Sequence, residues 1–422
     1  MGRWTEPSPL LLENTVARAL HALPASCSNV WIALSGGGDS VALLHAAHRI
    51  ATQHPTAPRL RAVHVNHHLQ SAAHLFEQTC QQACMARNVP LTIRHVSIDD
   101  KRGGIEQAAR LARYDVFASL LGEHDVLWLA HHADDQAETF LLRAMRGSGT
   151  KGLSAMPVKR PLGKGVLERP LLGLPQRVLI HYAHTQALQW CDDPSNDELH
   201  FDRNYLRHHI LPLLKERWPQ ATSSLCQSAA QSRESDDVLM QWADTELASY
   251  AQLDRLPLAP LVSMTASQQR LIIRRALERL SLPLPPRNRL YSLLEQLPVG
   301  RGEVRWTGGA ARLWRAHLYL GDDLPLSTPS DDLPTQWGLA RTEGHTPKVA
   351  MVARQGGEKI KIRGHGRTLK AVFQEYGIPP WQRASFGVVY ADTVPIALLS
   401  QHHALVADGW YVKWPQGTVL TS

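Results

Sequence analysis

Residues 30–40 of this 422-residue chain read Val30-Trp-Ile-Ala-Leu34-Ser35-Gly36-Gly37-Gly38-Asp39-Ser40. The apolar start of this stretch predicts a buried strand, which the glycines end. An amphipathic helix should follow, with Asp39 or Ser40 as its cap. A strand, a glycine turn and a helix start together present backbone N–H groups to an anion, and the hydroxyls of Ser35 and Ser40 could add donors. We therefore predict a phosphate-binding loop made of Ser35, Gly36, Gly37, Gly38, Asp39 and Ser40.

Strand-like and helix-like stretches alternate from residue 28 to about residue 150. The predicted strands are 29–35, 60–66, 90–97 and 125–130. The predicted helices between them are 39–51, 72–87, 105–121 and 134–146. This alternation indicates an α/β domain in which helices cover both faces of a parallel sheet. Ligands bind such sheets at the carboxyl ends of the strands, so the segments that follow strands are the candidate site.

The composition narrows the class of protein. A net charge of +7 favours a polyanionic partner. Five scattered cysteines without a Cys-x-x-Cys pair argue against a zinc or iron–sulfur framework and fit a reducing compartment. Because there is no apolar signal core and no run of membrane-spanning length, we predict a cytoplasmic protein with no membrane partner.

Two segments that follow predicted strands carry polar side chains. His64-Val-Asn66-His67-His68 follows the second strand, and its adjacent histidines point apart, which disfavours zinc. We expect His64 and Asn66 to contact the adenine or ribose of a nucleotide. His131-His132-Ala-Asp134-Asp135-Gln-Ala-Glu138 follows the fourth strand. The helix dipole favours acidic residues at a helix start. Three acidic residues in this segment would also suit Mg²⁺ or an ammonium group.

Arginines on two predicted helices leave two interpretations open. Arg110 and Arg113 lie on one face of the helix 105–121, which is either solvated or turned towards the ligand end of the sheet. A second basic stripe, on a helix of an all-helical stretch 219–296, is either solvated or a phosphate-contact face. Its members are Arg270, Arg274, Arg275 and Arg279.

The rest of the chain suggests further domains. Residues 157–173 are rich in Pro, Lys and Arg, and 302–320 predict a β-hairpin region. Residues 321–346 are rich in turn-forming residues and predict a linker. We predict a nucleotide-binding catalytic domain (1–215), a mainly helical domain (216–322), a linker (323–346) and a small α+β domain (347–422).

Several motifs together resemble one family. The Ser35–Ser40 loop lacks the lysine of a Walker A motif and resembles the PP-loop of ATP pyrophosphatases, whose fold is adenine nucleotide alpha hydrolase-like. Four further motifs resemble the bacterial tRNA(Ile)-lysidine synthetases over nearly the whole chain. They are His132-x-Asp-Asp135-Gln-x-Glu138, Arg146-Gly-Ser-Gly149, Arg203-Asn204 with Arg207, and Leu369-Lys370. His68 stands where many members carry glycine, which leaves the role of that loop open.

The resemblance implies a reaction and roles for residues. ATP would adenylate the C2 oxygen of the wobble cytidine of tRNA(Ile) with a CAU anticodon, and free L-lysine would displace AMP. Asp39 and Asp135 would hold Mg²⁺, and His132 or a carboxylate would take the proton of the lysine ε-amine. Arg110 or Arg113 would bind the lysine carboxylate, and Asp135 or Glu138 its α-ammonium. The expected tRNA contacts are Arg203, Arg207, Arg274, Arg367 and Lys370, and a homodimer is possible.

Three alternatives compete with this interpretation. The first is a tRNA thiolase on the same scaffold, or another enzyme that adenylates a tRNA base. Thiolation usually calls for reactive cysteine pairs, and the loops of this chain have none. An amidotransferase-type synthetase would need a glutamine-hydrolysing domain with a nucleophilic cysteine. A tRNA-binding module with a vestigial nucleotide fold would not need Asp39, Asp135 and Glu138.

Overall fold

The computed structural model describes residues 10–67, 73–97, 105–192, 198–323, 332–343, 347–413 and 418–420. The chain divides into two compact units, Met1–Leu239 and Met240–Ser422. None of the helices within the described residues is long and apolar enough to cross a bilayer. The finer division into three domains at residues 215 and 322 stays a prediction.

The first unit is an α/β domain, as its alternating sequence predicts. Its strands are β1 (Asn29–Ala33), β2 (Arg59–Asn66), β3 (Leu91–His95), β4 (Val126–Trp128), β5 (Lys159–Leu162) and β6 (Gly165–Glu168). Its helices are α1 (Leu10–His21), α2 (Gly38–Ala51), α3 (Ala73–Met85), α4 (Ile105–Leu120), α5 (Ala133–Met145), α6 (Thr150–Leu153), α7 (Gln176–Thr185), α8 (Asp202–Tyr205), α9 (Leu211–Arg217) and α10 (Ala221–Ala248). A π-helical turn, Leu206–Ile210, joins α8 to α9. All four predicted strands and all four predicted helices are confirmed to within a few residues.

The order of the strands explains where the site forms. The six-stranded sheet has the order β3-β2-β1-β4-β6-β5, and every pair is parallel except β5 with β6. The chain winds outward from β1 to β3 and then returns to place β4 on the other side of β1. The loops that leave β1 and β4 therefore diverge at a topological switch point, where α/β sheets bind ligands.

Apolar side chains cover both faces of this sheet. Helices α1, α2 and α7 pack on one face around Val30, Ile32 and Trp128. On the other face, Phe117 of α4 packs against Trp31 and neighbouring strand residues. Residues on both faces of β1 are thus buried, which is why its sequence is a continuous apolar run rather than an alternating one.

The segment 157–173, which is rich in Pro, Lys and Arg, folds as part of the sheet. It contains β5 and β6, which extend the sheet at the β4 side. Pro161 lies in β5, the edge strand of the sheet. Proline has no N–H to donate, and an edge strand has no neighbour on its outer side that needs one. Proline and charged residues therefore concealed an edge strand.

A chain of hydrogen bonds that joins α1, α2 and α7 predicts a pH dependence of stability. The hydroxyl of Tyr182 donates to Glu13 at 3.1 Å and lies 2.9 Å from Nδ1 of His45, so that nitrogen is the donor. Burial, and then Arg87, Arg49 and His48, lower the pKa of His45 to about 4. The folded state thus binds this proton less tightly than the unfolded state, whose pKa is about 6.5. The stability that neutral His45 contributes is therefore complete above about pH 6.5 and is lost as pH falls towards 4.

Replacing His45 by glutamine should reduce this acid sensitivity. Glutamine keeps a donor for Tyr182 but does not titrate. We expect the wild-type free energy of unfolding to fall between pH 7 and pH 5 by about 1–2 kcal/mol more than that of H45Q. Urea unfolding at both pH values measures the difference, and equal losses in the two proteins would refute the assignment.

The second unit combines helices with small antiparallel sheets. Its first part contains β7 (Arg255–Pro257), α11 (Leu258–Ser263), α12 (Ala266–Arg279), α13 (Arg287–Gln296), β8 (Gly302–Trp306), β9 (Gly309–Trp314) and β10 (His317–Gly321). Strands β7-β10-β9-β8 form one antiparallel sheet against which α12 and α13 pack. The β-hairpin region is confirmed, but the stretch 219–296 is not all helical, because β7 pairs with β10.

The last part of this unit is strand-rich, in agreement with the predicted α+β class. Its elements are α14 (Leu333–Trp337), β11 (Leu339–Arg341), β12 (Val349–Ala353), β13 (Lys359–Ile362), β14 (His365–Thr368), α15 (Leu369–Glu375), a 3₁₀ turn (Pro380–Ser385), β15 (Gly387–Ala391), β16 (Val394–Leu399), β17 (His403–Val406), β18 (Trp410–Val412) and β19 (Thr418–Val419). Five of these strands form one sheet, in the order β12-β15-β16-β17-β19.

Part of the predicted linker is folded structure. Residues 324–331 and 344–346 lie outside the described residues, but 332–343 contain α14 and β11, and β11 pairs with β18. Trp337 is fully buried and donates its indole N–H to the carbonyl of Ser400 at 3.0 Å. Turn-forming residues around a short apolar segment concealed this anchor.

Candidate active site

The loop between β1 and α2 is braced by its own serines. Ser40 Oγ accepts the Ser35 N–H at 3.2 Å and donates to the carbonyl of Gly37 at 2.9 Å. Because the Ser40 proton is used in this way, Ser35 Oγ donates to Ser40 Oγ at 3.0 Å, and it accepts the Gly37 N–H at 3.3 Å. The expectation that both hydroxyls donate to phosphate is therefore corrected: their protons shape the loop.

Backbone groups remain as the anion donors of this loop. Helix α2 begins at Gly38, and its cap is Gly37 without a side-chain hydrogen bond, so neither Asp39 nor Ser40 is the cap. The first N–H groups of a helix have no partner within the helix and lie at the positive end of its dipole. The predicted phosphate-binding role of residues 35–40 thus rests on the main chain and stays a prediction.

Gly36 is the one position of this loop whose backbone requires glycine. Its φ is +92°, and a Cβ there would lie 3.0 Å from the backbone oxygen of Phe76. At Gly37 a Cβ would meet only Ser35 Oγ, at 3.5 Å. We expect Gly36→Ala to lower the free energy of unfolding by about 1–3 kcal/mol. The matched variant Gly37→Ala should lower it by less than about 1 kcal/mol; equal effects in ligand-free thermal unfolding would contradict this account.

The segment after β2 is partly structural. His64 is buried and its Nδ1 donates to the carbonyl of Leu34 at 2.9 Å, directly before the phosphate loop. Asn66 is buried and donates to Glu77 at 3.0 Å. These contacts position the loop, and the predicted adenine or ribose contacts of both residues stay predictions. Residues 68–72, including His68, lie outside the described residues.

His132 joins two of the predicted catalytic carboxylates. Its Nε2 lies 3.5 Å from Asp39 Oδ2 and 3.4 Å from Asp135 Oδ2. Its Nδ1 accepts the Asp135 backbone N–H at 3.4 Å, while Asp135 Oδ2 accepts the His132 N–H at 3.1 Å, which forms a capping box at the start of α5. Burial lowers the pKa of His132, but Asp39, Asp135 and Asp134 together raise it above its ordinary value. The switch-point geometry therefore brings Asp39 and His132 together as the sequence predicts.

Both ring nitrogens of His132 are engaged, which changes its expected role. Nε2 faces two carboxylates and carries a proton, and Nδ1 faces a backbone donor. His132 is therefore poorly placed to accept the lysine proton. The geometry favours a positioning role, in which it holds Asp39 and Asp135 at one point.

The neighbouring acid, Asp134, belongs to the scaffold. Its Oδ2 accepts the Gln176 N–H at 2.9 Å, and its Oδ1 accepts from Lys215 at 2.7 Å. Burial raises the pKa of Asp134, but these two donors lower it overall. Asp134 thus ties α5 to α7 and α9.

Glu138 lies at the centre of an ion-pair cluster. Its side chain is fully buried, and Arg207 Nε donates to one oxygen at 2.7 Å while Arg203 Nε donates to the other at 2.9 Å. Arg207 Nη2 also reaches Asp135 Oδ1 at 3.3 Å. Burial lowers the pKa of Arg207, but Glu138 and Asp135 raise it overall. Residues far apart in sequence therefore close one side of the site.

This cluster corrects the expected role of Glu138 and gives two predicted tRNA ligands a partner within the protein. Glu138 has no exposed surface and both its oxygens are bonded to guanidinium groups, so it is not available to hold the lysine ammonium. Arg203 and Arg207, predicted to contact tRNA, instead face Glu138 and Asp135, although about three-tenths of each side chain is exposed. Their contact with tRNA stays a prediction.

The other predicted ligands lie on exposed surface. Arg110 and Arg113 are exposed on α4, and the Arg110 guanidinium stacks 5.0 Å from the centre of the Tyr114 ring. In the second unit, Arg274 and Lys370 are exposed, whereas Arg367 pairs with Glu375. Their assignments to lysine and to tRNA stay predictions.

The basic stripe on α12 is largely neutralised. Arg275 forms a two-bond ion pair with Asp244, at 2.8 and 2.6 Å, and Arg279 reaches the same carboxylate at 3.0 Å. Arg270 stacks on Tyr291. Ion pairing therefore favours a solvated, paired face for Arg275 and Arg279.

Three polar residues near the site, two of them buried, were not predicted from sequence. Gln136 holds Met156 by two hydrogen bonds, at 3.0 and 2.9 Å. Gln176 donates to Asp39 Oδ2 at 3.2 Å. Arg169, only 2% exposed, donates to His131 Nδ1 at 3.0 Å. Arg169 and Gln176 act across long sequence separations, so spacing gave no signal, whereas Gln136 lies inside the predicted motif.

The carboxylates fit Mg²⁺ unequally. Asp39 Oδ1 is buried and has no hydrogen-bond partner, which suits a hard cation. Both oxygens of Asp135 already accept from His132 and Arg207. No group of three or more His, Cys, Asp or Glu residues within the described ranges is arranged to hold a metal, but Mg²⁺ beside phosphates needs only one or two carboxylates. The structure therefore favours Asp39 over Asp135 as a Mg²⁺ ligand.

Comparison with known proteins agrees with this geometry. The family model for a PP-loop domain matches residues 12–214. The models for a TilS substrate binding domain and a TilS substrate C-terminal domain match 256–319 and 349–402. A tRNA(Ile)-lysidine synthase from Serratia proteamaculans is 36% identical over 395 residues, which are 87% of this chain and 90% of that protein.

A relative of the same name from Coxiella burnetii is 37% identical over 92% of this chain and 91% of its own length. The chain belongs to the tRNA(Ile)-lysidine synthase family. A third member, from Pseudomonas aeruginosa, is 36% identical over 95% of this chain and 97% of its own length. Membership of this family makes the chain an ATP-using ligase and explains why all three family models match in this order.

Proposed function

We propose that this chain ligates free L-lysine to C2 of the wobble cytidine of tRNA(Ile) with a CAU anticodon, using ATP and releasing AMP and pyrophosphate. The observation that carries this proposal is the meeting of Asp39, at the start of α2, with Asp135, at the start of α5, on either side of His132 Nε2. The predicted phosphate loop after β1 and the carboxylates that could bind an amine after β4 thus lie together at the switch point of the sheet.

In the first step, the C2 oxygen of cytidine attacks the α-phosphorus of ATP and pyrophosphate leaves. The backbone N–H groups of Gly38 and Asp39, in the first turn of α2, would hold the phosphates. Asp39, through its unpartnered oxygen, would bind Mg²⁺, which supplies charge neutralisation when bound. Gln176 and His132 fix the other oxygen of Asp39, so the free one keeps its direction.

In the second step, the lysine ε-amine attacks C2 and AMP departs with the former C2 oxygen. Burial raises the pKa of Asp135, but His132, His131 and Arg203 lower it overall, so this carboxylate stays ionised. We assign Asp135, whose side chain keeps 12% of its surface exposed, to the α-ammonium group of the lysine. The ε-amine, whose pKa in free lysine is about 10.4, must lose a proton before it attacks. Arg110 or Arg113 would bind the lysine carboxylate as a fork.

The thiolase alternative has little support from the cysteines. Cys27, Cys80 and Cys84 are buried. Burial raises the pKa of all three thiols, that of Cys84 to about 11. A reactive cysteine needs a lowered pKa, so these thiols are structural.

The test is incubation with ATP, Mg²⁺, radiolabelled lysine and an unmodified tRNA(Ile) transcript with a CAU anticodon. We expect label fixed on the tRNA and lost when the wobble C is changed to U. Pyrophosphate release without lysine incorporation would point to another nucleophile. Absence of ATP cleavage would favour the binding-module alternative. The cytoplasmic location and the homodimer stay predictions, open to fractionation and sedimentation.

A further inference from the structure

Five arginines of the first unit lie around Tyr114 and the segment 152–157. The guanidinium groups of Arg110 and Arg160 stack 5.0 and 4.8 Å from the centre of the Tyr114 ring. Arg143 is close enough to Arg110 and Arg233 for their charges to lower its pKa further, after burial. We call Arg110, Arg143, Arg160, Arg169 and Arg233 the arginine cluster.

The members of the arginine cluster bind neutral groups. Arg143 donates to the carbonyls of Gly152 and Ala155 at 2.9 and 2.8 Å, and Arg233 donates to that of Ser154. Arg169 donates to the carbonyl of Pro157 at 2.7 Å. Among the side chains that the structure describes, which do not include that of Glu106, no carboxylate lies within ion-pair distance of any of the five.

The arginine cluster therefore concentrates positive charge that none of the carboxylates in the described part of the chain pairs with. Burial and then nearby arginines lower the pKa of Arg169, although Tyr114 opposes this shift. Charges of one sign held together in a partly dry environment repel one another, and an anion relieves the repulsion. The carboxylate of a lysine substrate needs only one guanidinium group. Five arginines, four of them on different helices or strands and one on a connecting segment, suit a longer polyanion.

The arginine cluster adjoins the reaction centre. Arg169 donates to His131 Nδ1 at 3.0 Å, and His131 directly precedes His132. His131 and Asp135 also interact electrostatically. The phosphates of ATP have their own predicted place at the start of α2, on the Asp39 side.

We infer that Arg143, Arg160 and Arg233, the partly exposed members of the arginine cluster, bind the phosphodiester backbone of the RNA strand that carries the reacting nucleotide. This inference rests on the proposed function and adds the place where the strand is held. Backbone contacts fix the register of a bound nucleic acid without reading its sequence. Guanidinium groups of this kind would hold the flanking phosphates while the wobble base enters the site.

The variants R160Q and, independently, R233Q test this inference. We expect each to weaken binding of the CAU transcript roughly 5–10-fold without ATP or lysine. Because one phosphate contact is lost, the slope of log affinity against log salt should become shallower by about 0.7. The matched control is R61Q, since Arg61 also stacks on an aromatic ring, 5.3 Å from the centre of Trp31, but lies outside the cluster.

The outcomes separate the two proposals. Unchanged affinity and slope in both folded variants would overturn the inference, and so would a raised KM for lysine with unchanged tRNA affinity. Thermal unfolding identifies a variant that fails to fold, in which case the other variant decides. Because binding is measured without turnover, wild-type protein that binds the transcript but does not ligate lysine would refute the proposed function alone.

Discussion

Replacing Glu138 by glutamine is expected to lower lysine transfer at least about 100-fold while leaving ATP affinity within about threefold. The carboxylate is fully buried between Arg203 and Arg207. Without its charge, both guanidinium groups would turn to Asp135, which already lies 3.3 Å from Arg207 Nη2. Asp135 would then be withdrawn from the lysine amine. Lysine incorporation and equilibrium ATP binding measure the two quantities.

A matched pair of variants distinguishes this effect from a general loss of ion pairing. Asp244 is also held by two arginines, but a third of its side chain is exposed. E138A should lower the free energy of unfolding by about 3–5 kcal/mol, whereas D244A should lower it by about 1 kcal/mol or less. Normal transfer by E138Q, or equal destabilisation by the two alanine variants, would contradict the positioning role of Glu138.

Replacing Asp39 by asparagine is expected to slow pyrophosphate release by at least about 1,000-fold. The change removes the carboxylate whose Oδ1 has no partner and whose Oδ2 lies 3.5 Å from His132. The Mg²⁺ that would neutralise the phosphates would lose its carboxylate ligand. The charged contact between Asp39 of α2 and His132 at the start of α5 would be lost as well. Single-turnover release of pyrophosphate with saturating tRNA measures the step directly.

The neighbouring acid provides the control for this variant. Asp134 is bonded to Gln176 and Lys215 and faces the scaffold. We expect D134N to lose some stability but to release pyrophosphate within about tenfold of the wild-type rate. Release by D39N at a near-normal rate, or equal losses in the two variants, would show that the charge of Asp39 is dispensable for adenylation.

The sequence predicted most of what depends on local pattern. The strands around residues 30 and 126 are continuous apolar runs, and the glycine turn between β1 and α2 is visible in the residue types. Parallel-sheet topology then placed Asp39 near His132. These features follow from periodicity, turn chemistry and the rule that ligands bind at the carboxyl ends of strands.

What the sequence did not predict depends on contacts between distant residues. The family resemblance assigned Arg203 and Arg207 to tRNA, yet they pair with Glu138 across 65 and 69 positions. Ser35 and Ser40 were assigned to phosphate, yet they bond each other. Long-range partners decide whether a polar side chain is free for a ligand, and residue spacing carries no information on them.

The most direct test of the account uses a tRNA(Ile) transcript whose wobble cytidine carries ¹⁸O at C2. After one turnover with ATP and lysine, mass spectrometry of the AMP shows which oxygen was adenylated. We predict that the AMP carries the ¹⁸O, because the C2 oxygen attacks the α-phosphorus and leaves with it. AMP without ¹⁸O, formed alongside lysine-modified tRNA, would show that lysine rather than cytidine is activated and would contradict the account.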